Sequence, residues 1–266
     1  MRNYLLKWTQ TIRVAWTNYT TYRINFFLQV IGPALVFFFI KYNLWSSIYS
    51  AKENLIIQNY NFSEMINYHI WALIVGLLAQ GHTAMNLAED IRMGRISSYL
   101  IYPFNFWEFH TANFVAFQIL QIFISLITIG ALYFSPLLEF HGAFAFIQGY
   151  IYTLYVSIFW FCLQYLTGMM AFWLEETWIL RVIVMMITAF FSGAIIPLDL
   201  FPPDLVAVLN YTPFPYLTFY PIKIFMGEFT AIGTPYMILS FWILIFIVIN
   251  SLLWRKGLKL YTAAGM

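Results

Sequence analysis

The chain of 266 residues contains few charged side chains, since Asp, Glu, Lys and Arg together make up 9%. In a soluble domain these four residue types account for roughly a quarter of the sequence. From 109 to 174 the only formal charge is Glu139. A helix needs about 20 apolar residues to cross a hydrocarbon core, so this stretch is long enough for two crossings. With 62% hydrophobic and 21% aromatic residues, the sequence predicts an integral membrane protein with several spans.

Motifs for independent chemistry are also missing. No glycine is followed by lysine, so the chain lacks a phosphate-binding loop of the G-x-x-x-x-G-K-[ST] type. It also lacks H-E-x-x-H and G-x-S-x-G. The single cysteine, Cys162, excludes a disulfide within the chain, and a net charge of +2 is too small to favour nucleic acid. We expect no catalytic residue, metal site or cofactor site on this chain.

Long apolar runs separated by short polar turns predict an all-α fold with six membrane-spanning helices in a single transmembrane domain, residues 1–266. The expected spans are 24–45, 64–87, 106–134, 143–173, 178–196 and 234–254.

An amphipathic helix is expected at 1–20, before the first span. Its apolar side would carry Leu5, Trp8, Ile12, Trp16 and Tyr19. A basic amphipathic helix with tryptophan on its apolar side is typical of a membrane surface, and packing against the bundle is the alternative.

Basic residues predict the orientation. With six spans and a cytoplasmic N-terminus, ten of the 13 Lys and Arg residues lie inside, and only Lys41, Lys52 and Lys223 lie outside. The positive-inside rule therefore predicts that both termini are cytoplasmic.

One segment does not fit a continuous helix. Six of the ten prolines lie between Gly193 and Gly233, in a segment that is still largely apolar. We expect residues 197–232 to form short re-entrant helices that dip into the outer leaflet and are shielded by protein.

A mixed-charge segment, expected at 88–103, follows the second span. Its charged turn consists of Glu89, Asp90, Ile91, Arg92, Met93, Gly94 and Arg95. Ile91, Met93 and Ile96 are apolar positions that would contact a partner subunit. Taken alone, the residues fit docking to a partner and simple anchoring of the span equally well.

The order of these features resembles that of a known family. The amphipathic helix precedes E-D-I-R-M-G-R-I at 89–96 and Y-L-I-Y-P at 99–103. Later come F-S-G-A-I-I-P-L-D-L-F-P at 191–202, N-Y-T-P-F at 210–214 and Y-P at 220–221. Over essentially its whole length the chain resembles the membrane subunits of type-2 ABC exporters, specifically the short six-span permeases of the viologen-exporter-like group.

The resemblance implies a permease of the bacterial cytoplasmic membrane. Such a permease pairs with a second one, as a homodimer or a heterodimer, and with two separate ABC ATPase subunits that bind ATP and Mg²⁺. It implies that 89–95 is the coupling helix and that 197–232 closes the pathway on the outer side.

Site residues follow from the same resemblance. The outer gate is expected at Gly193, Pro197, Leu198, Phe201 and Pro202. The second and fifth spans would line the pathway with Leu73, Leu77, Gln80, Met185, Met186 and Phe190. Such a lining suits amphipathic or hydrophobic cargo, although each of these side chains also suits helix packing or lipid contact.

Two other functions are compatible with the sequence. One is an integral-membrane enzyme for lipid-linked substrates, with Glu64, His69 and Asp199 at the outer surface. The other is a structural subunit of a membrane complex, in which the charged turn serves only for docking. A co-purifying nucleotide-binding subunit would separate the permease from both.

Overall fold

The computed structural model describes residues 2–21, 23–50, 55–80, 83–101, 105–134, 138–229 and 231–261. Lys52 and residues 102–103 of the expected coupling segment lie outside these ranges. Within the described ranges the secondary structure is helical, apart from one isolated bridge between Ile57 and Tyr60. The expectation of an all-α fold is confirmed.

Eleven α-helices follow one another in the part of the chain that the structure describes. The first six are α1 (Arg2–Thr21), α2 (Arg23–Ser50), α3 (Phe62–Ala79), α4 (Thr83–Arg92), α5 (Ile96–Ile101) and α6 (Phe106–Tyr133). The remaining five are α7 (Ala143–Met169), α8 (Trp178–Phe191), α9 (Pro203–Leu209), α10 (Phe219–Phe225) and α11 (Gly233–Leu260). Short 3-10 turns occupy Met170–Phe172, Leu198–Leu200 and Phe214–Leu217.

Four described helices are long and apolar enough to cross a membrane: α3, α6, α11, and α7 with its 3-10 extension. These four do not by themselves establish the expected count of six. The expected fifth span, 178–196, is shorter than predicted, because α8 ends at Phe191. Its 14 residues extend about 21 Å, less than the roughly 30 Å of a hydrocarbon core.

The expected second span, 64–87, is divided into two helices. A capping box at Asn61 and Glu64 starts α3, and the helix ends at Ala79. Gln80 has an extended backbone, with φ −87° and ψ 109°, and α4 begins at Thr83. We use "the break" for this interruption at Gln80.

Together α3 and α4 run antiparallel to α6. At one end, the Ser63 hydroxyl donates to the Glu139 carboxylate at 2.7 Å. At the other end, Asp90 of α4 lies 3.7 Å from His110, near the start of α6. We call this second end, which carries residues 93–95, the turn end. The opposite end, which carries residues 197–229, is the proline-rich end.

The N-terminal helix is amphipathic as expected, but it does not lie apart from the bundle. Tyr19 packs edge-on against Phe117 at 5.2 Å, and Trp16 packs against Phe123 at 6.2 Å. Because the order of these partners is reversed along α6, α1 runs antiparallel to α6. The apolar side of α1 is therefore covered at these positions by protein, which matches the alternative expectation.

Aromatic stacks hold both ends of the bundle. Trp71 of α3 stacks on Phe225 of α10, with ring centroids 4.2 Å apart and planes 6° from parallel. At the turn end, Phe106 of α6 stacks on Trp254 of α11 at 4.7 Å and 10°. Offset-stacked rings contribute beyond their buried area, so each stack fixes the separation of two helices.

Replacement of Gly257 tests the packing of α11 at the turn end. A Cβ atom there would lie within 2.7 Å of three atoms of the Phe172 ring. We expect Gly257→Ala to lower the free energy of unfolding in detergent by about 1–3 kcal/mol, the usual cost of overpacking.

The matched control is Gly130→Ala in α6, where nothing lies within 4 Å of the added atom. Alanine is better than glycine in a helix by about 1 kcal/mol, so this variant should be as stable as the wild type or more stable. Equal effects of the two substitutions would contradict the close approach.

Candidate functional site

The charged turn is built around a glycine in the left-handed conformation. Gly94 has φ +69°, and its N–H donates to the Ile91 carbonyl at 3.3 Å. The Arg95 N–H donates to the Asp90 carbonyl at 2.9 Å. These two bonds form a Schellman motif, which satisfies the last carbonyls of α4 and reverses the chain into α5. A residue with a Cβ is disfavoured at position 94, so the glycine has a structural reason.

A carboxylate lies buried at the base of this turn. Asp90 accepts from the Arg95 guanidinium at 3.2 Å and from the Tyr99 hydroxyl at 3.2 Å. Burial raises the pKa of the Asp90 carboxyl, and the bonds from Tyr99 and Arg95 oppose this shift. The pKa of Tyr99 is also raised, by burial and then by Asp90. Asp90 therefore stabilises the turn from its buried side and is not part of its exposed surface.

The exposed side of the turn is charged. Arg95 also bonds Glu89 at 3.1 Å, and Arg92 pairs with Glu176 after α7 at 3.2 Å. All of these partners are about half exposed, so each pair adds little stability and stays available to solvent. Met93 is 59% exposed, and its sulfur accepts a bond of 2.9 Å from the Arg95 guanidinium.

Three apolar residues of the turn region were predicted to contact a partner subunit, and for two of them the prediction is wrong. Ile91 is 5% exposed and Ile96 is fully buried. Both belong to the core at the turn end, together with Phe106 and Leu87. An isoleucine on each side of the turn therefore anchors it to the bundle, and only Met93 remains as an exposed apolar side chain.

Side-chain amides from α6 support the break between α3 and α4. Gln121 donates its Nε2 to the Gln80 carbonyl at 2.6 Å, and Gln118 donates to the Leu78 carbonyl at 2.8 Å. Inside an apolar bundle, a helix is interrupted only where other groups satisfy its freed backbone. Sequence reasoning missed this break, although glutamines in an apolar span and a Gln-Gly pair are the available signal.

The six expected pathway residues fall into two environments. On α3, Leu77 is buried and Leu73 is half-buried against the core, while Gln80 is at the break. On α8, the other three side chains are exposed: Met185, Met186 and Phe190. Within this single chain the α3 residues act mainly in packing. The three α8 residues form an exposed apolar surface, which we call the free face of α8.

The expected outer gate begins at a second left-handed glycine. Gly193 has φ +80°, and its carbonyl accepts a bond of 2.7 Å from the buried Tyr68 hydroxyl. The next carbonyl, of Ala194, accepts from the Lys41 ammonium. Side chains of α3 and α2 therefore hold the backbone that follows α8.

The other gate residues differ in exposure. Pro197 and Leu198 are buried, whereas Pro202 is exposed at the start of α9. Phe201 packs edge-on against Phe190 of α8, with ring centroids 5.3 Å apart. The segment thus combines a fixed inner part at 197–198 with an outer part that contacts the free face of α8.

Sequence reasoning also missed a polar clamp at this end. Asp199 accepts a bond of 2.6 Å from the Tyr60 hydroxyl and pairs with Lys223 at 2.8 Å. Lys223 also pairs with Glu228 and lies over the Tyr60 ring at 4.7 Å. Burial, followed by the bond to Asp199, raises the pKa of Tyr60. The clamp joins the loop before α3 to both sides of the proline-rich segment.

The three residues considered for an enzyme are engaged separately. Glu64 closes the capping box of α3, and His69 accepts from the Trp45 indole at 2.7 Å. Asp199 belongs to the clamp described above. Among the described residues, no group of three or more His, Cys, Asp and Glu side chains is arranged to hold a metal ion.

Substitution of Gly193 tests the gate backbone. A Cβ at this position would lie 2.9 Å from the Tyr68 hydroxyl, and φ +80° is unfavourable for alanine. We expect Gly193→Ala to destabilise the protein in detergent by about 1–3 kcal/mol, as measured by chemical unfolding. Gly142→Ala is the matched control, because φ is +103° there but nothing lies within 4 Å. A cost no larger than that of the control would contradict a tight contact with Tyr68.

The buried carboxylate predicts a pH dependence. Because the pKa of Asp90 is raised above its ordinary value of 3.8, the folded protein holds this proton more tightly than the unfolded chain. The Asp90 contribution to stability is therefore largest below the pKa of the unfolded chain and is lost as the pH rises through the raised pKa of the folded protein. We expect the melting temperature of Asp90→Asn, relative to wild type, to increase from about pH 4 to about pH 7. Parallel curves for the two proteins would contradict the raised pKa.

Comparison with known proteins agrees with this architecture. A protein-family model described as "ABC-2 family transporter protein" matches residues 23–265, from the start of α2 to beyond the end of α11. No curated protein is significantly similar to the chain in sequence. The family consists of the membrane subunits of transporters that work with ABC ATPase subunits. With its matched region covering the four described helices that are long enough to span a membrane, the chain belongs to the ABC-2 family of transporter proteins and is an integral membrane permease subunit.

Proposed function

We propose that this permease is one of two around a shared pathway, and that two ABC ATPase subunits drive it as an exporter. The turn at 89–95 is the single observation that carries the proposal. Buried residues fix its shape, and its exposed side is charged. A docking element needs both of these properties. The second permease is either another copy or a paired homologue.

Coupling needs an element that moves as a unit when it is pushed. The Schellman motif at Gly94 and the buried Asp90 give the turn one defined shape. Ile91 and Ile96 attach the turn to the bundle through the core at the turn end. When ATP draws the two ATPase subunits together, a force on Arg92 and Met93 would therefore displace the neighbouring helices.

The turn end is assigned to the cytoplasm. The basic side chains of this end include the exposed Arg92, Arg95, Arg255 and Lys256. At the other end, Lys41 and Lys223 have partners in the proline-rich segment. Among the basic residues outside α1, which runs from the proline-rich end toward the turn end, this distribution supports the positive-inside orientation with the proline-rich end outside. A bacterial cytoplasmic membrane is the location that the resemblance supports.

The free face of α8 supports a pathway for apolar cargo. Met185 and Met186 are 48% and 68% exposed, and Phe190 is 43% exposed beside the gate. Flexible thioethers and an aromatic ring adapt to varied apolar shapes. We propose amphipathic or hydrophobic molecules as cargo, released when the segment that begins at Gly193 moves away from α8.

Co-purification tests the proposal. The chain is purified from its host membrane in mild detergent, and bound proteins are identified by mass spectrometry. We expect an ABC ATPase to co-purify and its hydrolysis to respond to the permease. Glu89→Ala/Arg92→Ala should lower the amount bound or the response by about tenfold, since two charged side chains contribute to docking.

Glu175→Ala/Arg255→Ala is the matched control, because it removes one exposed acid and one exposed base at the same end of the bundle that form no ion pair with the turn. This variant should bind and stimulate the ATPase normally. If no nucleotide-binding protein accompanies the wild type, the exporter proposal is wrong. A fully active Glu89→Ala/Arg92→Ala complex would contradict only the choice of docking residues.

A further inference from the structure

The carbonyl of Gly94, at the apex of the turn, accepts bonds from two hydroxyl groups. One is Ser97 of the adjoining helix α5, at 2.5 Å. The other is Tyr261, which directly follows α11 and lies at 2.6 Å. A residue 167 positions later in the chain therefore binds the central atom of the turn. The link to Ser97 is local, whereas the link to Tyr261 connects the turn to the last spanning helix.

We propose that α11 transmits movement of the turn to the proline-rich end, with Tyr261 as the positioning residue that joins α11 to the turn. This inference rests on the proposed coupling role of residues 89–95. It adds a route and a residue that the charged turn alone does not provide.

The turn end of α11 is tightly fixed to its surroundings. Trp254 stacks on Phe106 and also packs against Phe172, with ring centroids 5.8 Å apart. Gly257 allows the Phe172 ring to approach the backbone of α11 closely. Together with the Tyr261 bond, these contacts leave little freedom for the turn to move without α11.

The other end of α11 reaches the proline-rich segment. The Trp242 indole donates to the Tyr211 carbonyl, just after α9, at 3.1 Å. Tyr236 packs edge-on against Tyr152 at 4.9 Å. The Tyr152 hydroxyl in turn donates to the Tyr216 carbonyl at 3.2 Å. A shift or tilt of α11 therefore acts directly on the backbone that joins α9 to α10.

Continuity distinguishes α11 from the alternative route. Its 28 residues form one uninterrupted helix of about 42 Å. The route from the turn through α4 into α3 passes the break at Gln80, whose backbone is extended. Because rigid secondary elements carry coupling between distant sites, one continuous helix is a more direct route than two helices separated by a break.

The test uses thiol labelling at the proline-rich end. Tyr211 is 83% exposed, and Tyr211→Cys keeps the carbonyl that Trp242 binds. The only native cysteine, Cys162, is buried, which keeps background labelling low. The permease–ATPase complex is placed in nanodiscs, and the rate of maleimide labelling is measured with and without ATP and Mg²⁺.

We expect ATP to change the labelling rate in the otherwise wild-type complex. Tyr261→Phe removes only the hydroxyl group and should reduce this ATP-dependent change about fivefold, the factor that corresponds to one neutral hydrogen bond. Binding of the ATPase and the melting temperature should stay close to wild type, which separates a positioning role from a structural one.

Ser97→Ala is the matched control, because it removes the other hydroxyl bond to the same carbonyl, and a longer contact of 3.5 Å with the Tyr261 hydroxyl, but leaves the bond from Tyr261 to Gly94 in place. It should keep the ATP-dependent change. An undiminished change in Tyr261→Phe, or an equal loss in Ser97→Ala, would overturn the route through α11. An ATPase that binds the reporter protein without altering its labelling would also overturn it. Failure of the ATPase to bind at all would instead contradict the proposed function.

Discussion

The structure depends on one requirement: a backbone carbonyl released from a helix inside an apolar bundle must find a donor elsewhere. Gln121 supplies that donor at the break, Tyr68 supplies it at Gly193, and Tyr261 supplies it at Gly94. In each case the donor belongs to a distant part of the chain. The irregular backbone of this permease is therefore also where its helices are tied together.

The same requirement explains how so few charges are distributed. Asp90 and Asp199 belong to the two irregular regions, the charged turn and the proline-rich segment, and each accepts bonds from a tyrosine hydroxyl and a cationic side chain. A partly buried carboxylate with two donors fixes the loop around it. Each end of the bundle thus has one carboxylate as the centre of a small polar cluster, while the spans between them stay apolar.

Sequence patterns predicted what depends on local composition. The expected limits of α6 and the expected starts of α7 and α11 lie within one residue of those in the structure, because long apolar runs and their polar flanks mark them directly, whereas α11 continues beyond the expected end at 254 to Leu260. The break at Gln80 was not predicted, because its support comes from Gln118 and Gln121, about 40 positions away. For the candidate site, the location of the turn was predicted, but not which side chains it exposes. Ile91 and Ile96 look like contact residues in the sequence, and their burial depends on how α4 and α5 pack against α6.

The free face of α8 shows how the energetics of this fold differ from those of a soluble domain. Trp178 is 62% exposed and Met186 is 68% exposed, and Thr188 is the buried residue of α8. In lipid such exposure costs little, since acyl chains are as apolar as the side chains that they contact. Burying apolar area therefore does not decide how these helices associate. Close approach and hydrogen bonding decide it instead, and Gly149 is an example, where a Cβ would lie within 2.9 Å of the Phe225 ring. An ATP-driven motion must then break a few specific contacts and not a large apolar interface, so a small number of hydroxyl and amide bonds is enough to set the balance between two states.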